Sequence, residues 1–355
     1  MEFSRTKRSW DLKKKYVIGV VGASGAVGEE IFKILEEQKF PVAKIVPLAS
    51  SRSAGKEIEF QGQTYQILET TDDIFQKENI EIAFFSAGSS VSARYAPSAV
   101  KAGAVVIDNT SHFRMEEDIP LVVPEVNPDD IKQWHKKGII ANPNCSTIQM
   151  VHVLSPLHKM FEIQRVDVST YQAVSGAGKK GMEELVMQMQ AFFAFKLEEA
   201  EAVAFPHRIA LNVIPHIDVF MPNDYTKEEM KMIYETNKIM HSNFAVSATC
   251  VRVPVLRSHS EALTITFKNI VSAKDAQKIL SESPNVVLAD EPHSKIYPMP
   301  MLAADTDQTY VGRIREDHFD KHILHLWCVA DQIRVGAATN AVRIAQKWIE
   351  FQESE

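Results

Sequence analysis

Of the three cysteines in the chain, one sits where a thiol could act as a nucleophile. The run Asn142-Pro143-Asn144-Cys145-Ser146-Thr147 lies between a short strand-like stretch and an apolar run with helical spacing. Asn144 suits the N-cap of that helix, which puts Cys145 in its first turn. Unpaired N–H groups and the helix dipole favour a thiolate there and are expected to lower the thiol pKa. Cys250 and Cys328 fall inside apolar strand-like runs and read as small core residues. Position alone leaves Cys145 open between nucleophile and one more small buried side chain.

A thiolate that attacks a carbonyl needs an acid/base group and an anchor for the substrate. The stretch Arg252-Val-Pro-Val-Leu-Arg-Ser-His259-Ser-Glu261 offers both, starting at the end of an expected strand. The chain has 12 histidines, and a single histidine is more often structural than catalytic. Most arginines lie on solvated surfaces. This pair acquires meaning only together with Cys145.

A second chemical signal opens the ordered part of the chain. Gly19-Val-Val-Gly22-Ala-Ser-Gly25-Ala-Val-Gly28 follows a strand-like run and precedes a helix-like one. That context calls for a tight turn whose backbone N–H groups approach a pyrophosphate at a helix N-terminus. The bland alternative is a sharp strand-to-helix turn with no ligand. NAD sites place an acid about 20 residues on, at the ribose 2′-hydroxyl. Here the second strand ends Leu48-Ala-Ser-Ser-Arg52-Ser53 with no acid, and an arginine with hydroxyls suits the 2′-phosphate of NADP. A solvated polar loop is the other reading of those residues.

These groups require elements to hold them. Short apolar runs alternating with helical periodicity predict a parallel α/β unit. Strands are expected at Tyr16–Val21, Ala43–Ala49, Ile80–Ser86, Val105–Asp108 and Ile139–Ala141, with helices at Ala26–Gln38 and Val91–Lys101. After Cys145 the strand-like runs Gln164–Gln172, Cys250–Val253, Ala262–Phe267 and Ile323–Val329 alternate, which predicts an antiparallel sheet with helices on one face. Long helices are expected at Met182–Ala200, Thr226–Met240 and Val335–Phe351. The fold class is therefore α/β: an N-terminal Rossmann-type parallel sheet with a second α+β domain. The expected division is a basic leader at 1–15, read as disordered, then an NADP-binding domain at 16–144 completed by a terminal helix at 335–355. A catalytic and oligomerisation domain would occupy 145–334.

Composition narrows the partners. With 355 residues, 45% hydrophobic and 24% charged, the chain can bury two cores. A net charge of -7 argues against nucleic acid or an anionic membrane. No apolar run approaches the roughly 20 residues of a bilayer helix. Three scattered cysteines form neither a disulfide framework nor a clustered zinc pattern, so no metal is expected and a cytoplasmic setting fits.

Five motifs together resemble the aspartate-semialdehyde dehydrogenase family. They are Gly22-Ala-Ser-Gly25-Ala-Val-Gly28, Asp108-Asn-Thr-Ser-His-Phe-Arg114, Asn142 to Thr147, Tyr171-Gln-Ala-Val-Ser-Gly-Ala-Gly178, and Arg252-Val-Pro-Val with His259-Ser-Glu261. The resemblance runs from about Lys15 to the last helix. It implies that Cys145 carries the acyl group, His259 moves the proton and Gln172 orients the reacting group. Arg252 would grip the substrate carboxylate and Glu228 would face its amino group, while Arg114 and Lys231 would bind phosphate. Gly22, Ser24, Gly25, Ala26, Val27, Arg52, Ser53, Ser175, Gly176 and Asn340 would contact NADP. Thr226 and Glu229 also spell a capping box, so acids there have a structural reason to exist. Asn340, near the start of the last helix, could serve only as a cap.

The implied reaction is the reversible NADPH-dependent reduction of L-aspartyl 4-phosphate, in the biosynthesis of lysine/diaminopimelate, threonine, methionine and isoleucine. A homodimer or homotetramer is implied too. The alternatives are an N-acetyl-γ-glutamyl-phosphate reductase and a non-enzymatic NADPH-binding regulator.

Overall fold

The computed structural model describes residues 14–354. The expected leader, residues 1–15, lies outside the described residues except for its last two lysines. Lys14 is held at 2.7 Å from Glu81 and lies over the Tyr16 ring.

The first half of the chain builds a parallel sheet. Its elements are β1 (Tyr16–Val21), α1 (Ala26–Glu37), β2 (Val42–Ala49), a hairpin of β3 (Glu57–Phe60) and β4 (Gln63–Gln66), and β5 (Leu68–Glu69). Then come α2 (Ile74–Lys77), β6 (Ile82–Phe85), α3 (Ser89–Lys101), β7 (Val105–Asp108) and β8 (Ile139–Ala141). The strands are almost wholly apolar and buried because helices cover both faces of a parallel sheet. Their order is β5-β2-β1-β6-β7-β8, all pairs parallel. The order reverses at β1, so a crevice opens beyond the carboxyl ends of β1 and β6, where open α/β sheets bind ligands.

The second half begins with α4 (Cys145–Phe161), β9 (Ile163–Gln172), α5 (Gly178–Phe193), α6 (Lys227–Met240) and β10 (Ala245–Arg252). It continues with β11 (His259–Phe267), α7 (Ala273–Ser281), β12 (Val286–Leu288), α8 (Pro300–Ala303), β13 (Thr309–Glu316) and β14 (Ile323–Ala330). The strand order is β10-β9-β11-β14-β13-β12. One face is closed by α4, α6 and α7, whose Leu154, Met232 and Leu280 pack against Val168, Leu263 and Leu326.

Three local expectations are corrected here. The sheet is mixed, because β10 runs parallel to β9 and β12 parallel to β13. In each case a long connection, rather than a hairpin, returns the chain in the same direction. Strand β10 starts five residues before Cys250 because Ala245–Ala248 already alternate between faces. The helix expected to reach Ala200 ends at Phe193, since Phe195 takes a left-handed φ of 57°. A loop then folds back, and Gln188 Oε1 accepts the N–H groups of Ile209 and Ala210.

The last helix, α9 (Thr339–Ser354), follows a wide turn at Arg334–Ala338 and returns to the first sheet. Its Ala341, Val342, Ala345 and Ile349 join Ile18, Ile34 and Ile107 in one core. Among the described residues, no helix is long and apolar enough to cross a membrane.

Candidate active site

A cavity of ≈ 480 Å³ opens between the two sheets. Cys145, Gln172, Ser175, Gly176, Glu228, Lys231, Arg114, Arg252 and Val27 all line it, although they come from loops and elements spread across the chain.

Cys145 is the first residue of α4. Asn144 caps the helix, its Oδ1 accepting the N–H groups of Ser146 and Thr147 at 3.0 and 3.3 Å. The expected fall in thiol pKa does not occur. Burial drives the thiol up and the Glu228 carboxylate adds to it, to about 12, against Arg114, Arg252 and the Ser146 N–H. Behind Cys145 lies the wide turn before α9. A Cβ on Gly336 would stand 2.5 Å from the Cys145 Cβ, so only glycine lets the turn pass so close.

Glu228 sits at the centre of a polar network. Its Oε1 accepts Asn144 Nδ2 at 2.9 Å and Gln172 Nε2 at 3.1 Å, and its Oε2 accepts Lys231 Nζ at 3.1 Å. Burial opposes its charge, yet Lys231 and these donors hold the carboxyl at about 2. The capping role belongs to its neighbour: Thr226 Oγ1 accepts the Glu229 N–H while Glu229 Oε2 accepts the Thr226 N–H. With that cap satisfied, Glu228 is free to face the cavity.

Arg252, 6% exposed, donates Nη1 to the Ala173 carbonyl at 2.6 Å and lies 5.7 Å from the Phe205 ring centroid. Gly176 packs against it, and a Cβ there would fall 2.7 Å from Nη1. His259 lies fully buried behind the same glycine and does not itself line the cavity. Its Nδ1 accepts the Ala173 N–H at 3.0 Å, so the proton of the neutral ring resides on Nε2, which has no partner. Burial and the Arg252 charge hold the ring neutral, at about 3.

Arg114 donates Nη1 to Glu235 at 3.0 Å and Nη2 to the Asn109 carbonyl at 2.8 Å. Its loop is set by Asp108, which accepts Ser92 Oγ and the Thr110 N–H and hydroxyl at 2.8–3.0 Å. Lys231 Nζ also reaches Asp218 Oδ2 at 2.7 Å.

The glycine turn stands at the crevice. Gly22 has φ +95°, and a Cβ on Gly28 would stand 2.2 Å from the Gly22 carbonyl oxygen. No side chain caps α1 at Gly25, so the N–H groups of its first turn, around Ala26 and Val27, are open to an anion. Ser24 Oγ meets Ser53 Oγ at 3.2 Å, joining the turns after β1 and β2, and Arg52 is exposed beside them. Ser175 accepts the amide of Gln332. Asn340 is buried, donates Nδ2 to the Val122 carbonyl and to Asn142 Oδ1, and keeps its own Oδ1 unpartnered; like Gly22, Ser24, Gly25, Ala26, Arg52 and Ser53 it is not part of the cavity wall itself.

Sequence reasoning missed several wall or supporting residues. Asn109 lines the cavity with both side-chain polar atoms buried and unpartnered. Asp218 lines it from a left-handed φ of 68°, a conformation that costs about 1–3 kcal/mol and concentrates at functional sites. Asn109 lay inside the Asp108 to Arg114 motif but was given no role there, and Asp218 carried no signal in the sequence. Glu235 did, since it lies seven residues after Glu228 and so on the same helical face.

Known proteins share this arrangement of chain. Residues 17–134 match the family model "Semialdehyde dehydrogenase, NAD binding domain", and residues 154–335 match "Semialdehyde dehydrogenase, dimerisation domain". An aspartate-semialdehyde dehydrogenase from Campylobacter jejuni is 65% identical over 341 residues, 96% of this chain and 99% of that protein. The crystal structure of aspartate semialdehyde dehydrogenase II from Vibrio cholerae, complexed with ASA, superposes with a TM-score of 0.92 at 44% identity, covering 95% of this chain and 99% of that one. A more distant enzyme of that name from Candida albicans, solved with NADP, gives a TM-score of 0.72 at 28% identity, with 95% and 99% covered. The chain belongs to the aspartate-semialdehyde dehydrogenase family.

Proposed function

We propose that the protein catalyses the reversible NADPH-dependent reduction of L-aspartyl 4-phosphate to L-aspartate 4-semialdehyde and phosphate, through a thioester on Cys145. What carries the reading is convergence: a thiol at a helix start, an arginine and a buried carboxylate meet around one cavity from separate elements, with a neutral histidine packed behind the Gly176 wall.

In the oxidative direction the Cys145 thiol passes its proton to water in the cavity, and the sulfur bonds to the aldehyde carbon as the carbonyl π pair moves onto oxygen, leaving a tetrahedral oxyanion. His259 offers Nε2–H to that oxygen, while accepting the thiol proton would require the ring to give up its Ala173 contact. Proton transfer by such a group is worth roughly 10²–10⁴-fold. NADP, held by the glycine turn after β1 and by Ser175 and Gly176, would supply the hydride acceptor that turns the Cys145 adduct into a thioester. Phosphate, held by Arg114 and Lys231, then attacks the thioester carbon, and the thiolate departs as the acyl phosphate forms. Arg252 supplies a planar fork for the substrate carboxylate, and Glu228 a full negative charge for its ammonium. Gln172, bonded to Glu228, orients the acyl group.

The cofactor site fits NADP. An uncapped helix start after a glycine turn suits the pyrophosphate, and Arg52 with Ser53 and Ser24 suits a 2′-phosphate. Gly22, Gly25, Ala26, Val27, Ser175 and Gly176 complete the set. Asn340 would act only indirectly, by fixing Asn142.

We take residues 16–144 with 335–355 as the cofactor domain and 145–334 as the catalytic and oligomerising domain. The second sheet turns a half-covered face outward, with Tyr171 40% exposed against Trp327. A homodimer or homotetramer would bury it. The same reading places the enzyme in the cytoplasm, in the biosynthesis of lysine/diaminopimelate, threonine, methionine and isoleucine.

Purified protein is expected to sustain NADP reduction with aspartate semialdehyde, beyond a first turnover, only when phosphate or arsenate is present. N-acetylglutamate semialdehyde should be inactive, since acetylation removes the charge that Glu228 would meet. Turnover of the acetylated aldehyde alone would overturn the substrate assignment. Inactivity with both, while NADPH still binds, would favour a regulator.

A further inference from the structure

Helix α6 presents Glu228, Lys231, Glu235 and Lys238 at three- and four-residue spacing, along one face. The first two line the cavity, and Lys238 Nζ donates to the carbonyls of Arg114, Glu116 and Ile119 at 2.7–2.8 Å. Glu235, between them, is 1% exposed and has no part in the chemistry described so far. One of its oxygens accepts Arg114 Nη1 at 3.0 Å, and the other accepts the backbone N–H of Asn144 at 2.6 Å. Asn144 is the cap that fixes the first turn of α4, and that turn begins with Cys145.

We propose that Glu235 is a positioning residue that locks the anion-binding guanidinium of Arg114 and the helix start bearing Cys145 into one fixed geometry. The inference rests on the reading of Arg114 as a phosphate ligand. With Nη1 held by Glu235 and Nη2 by the Asn109 carbonyl, the guanidinium cannot swing. Its Nε is buried and unpartnered. Phosphate bound there must reach the thioester carbon on Cys145, and acyl transfer depends steeply on that approach. A carboxylate shared between the cation and the cap sets the distance directly. Two separate anchors would let each side drift. Such supporting contacts commonly tune the groups they hold.

The test separates the two halves of the reaction. Glu235→Gln keeps the size and an acceptor for the Asn144 N–H but removes the charge opposite Arg114. Without phosphate, the first-turnover burst of NADPH reports thioester formation. With phosphate, steady turnover reports its breakdown. In Glu235→Gln the burst rate should stay within about threefold of wild type. The KM for phosphate should rise at least about tenfold, with KM for NADP and aldehyde changed less than about threefold. Glu235→Asp keeps the charge but draws it back by one methylene. It should shift the phosphate KM the same way by a smaller factor, and it serves if the glutamine variant does not fold. An unchanged phosphate KM in either folded variant would overturn the proposal. So would equal losses in burst and steady turnover, which mark a purely structural role. If wild type itself turns over without phosphate, the failure lies in the phosphate reading of Arg114.

Discussion

Two helix starts, α1 and α4, face the same crevice and are treated in opposite ways. The start of α1 follows a glycine turn, carries no side-chain cap and leaves its N–H groups open. The start of α4 is sealed: Asn144 takes the Ser146 and Thr147 N–H groups, Glu228 and Glu235 hold Asn144, and all three are buried. An open start is a ready site for an incoming anion. At the sealed one the Ser146 N–H still favours a thiolate, but burial and the Glu228 charge outweigh it. Together they push the thiol up to about 12. On the proposed function, the α1 end can change cofactor affinity without disturbing the fold, whereas at the proposed nucleophile folding and chemistry share the same contacts.

The largest expected effect tests the sealed start. Cys145→Ser should lower phosphate-dependent NADP reduction by more than about 10⁴-fold, because no other wall residue can form the thioester. NADPH binding, followed by fluorescence titration, should stay within a few-fold of wild type. A variant that still turns over would remove the nucleophile from the account.

A smaller effect sharpens the electrostatics. Glu228 raises the thiol pKa, so Glu228→Gln should lower it. Alkylation by iodoacetamide requires the thiolate, and with a pKa of about 12 its rate in wild type should climb with pH across the neutral range. At any such pH the variant should react faster, by roughly tenfold for a charge of this proximity, while turnover of aspartate semialdehyde falls. Slower alkylation would mean that Glu228 does not act on Cys145 through its charge.

The smallest effect belongs to the open end. Arg52→Ala should raise the KM for NADP by about 10–100-fold, the value of one or two charge-assisted bonds, and leave KM for NAD almost unchanged. Its thermal midpoint should not move measurably, since Arg52 is exposed. Equal losses with both cofactors would break the comparison, placing Arg52 on the shared pyrophosphate rather than on a 2′-phosphate.

Much of this was legible beforehand. Strand β1 and the start of α1 fall where the apolar run and the glycines put them, and Asn144 caps α4 as its type demands. The capping box on α6 formed as spelled. Each depends on residues within a few positions of one another, where cap chemistry and periodicity act. The outer strand pairs of the second sheet were not legible, because alternation reports a half-covered face and says nothing of a neighbour's direction. The bond from Asn340 to Asn142 was not legible either, since it joins groups 198 residues apart.

The sequence by itself determined which groups are present, the strand–turn–helix at the glycines and the helix start at Cys145. Those are local matters of backbone freedom, side-chain type and spacing. Only the tertiary structure decided how the groups behave. Glu235 reaches Arg114 across 121 residues, and the thiol moves up rather than down. Desolvation and charge are sums over everything folded around a site, and no window along the chain contains those terms.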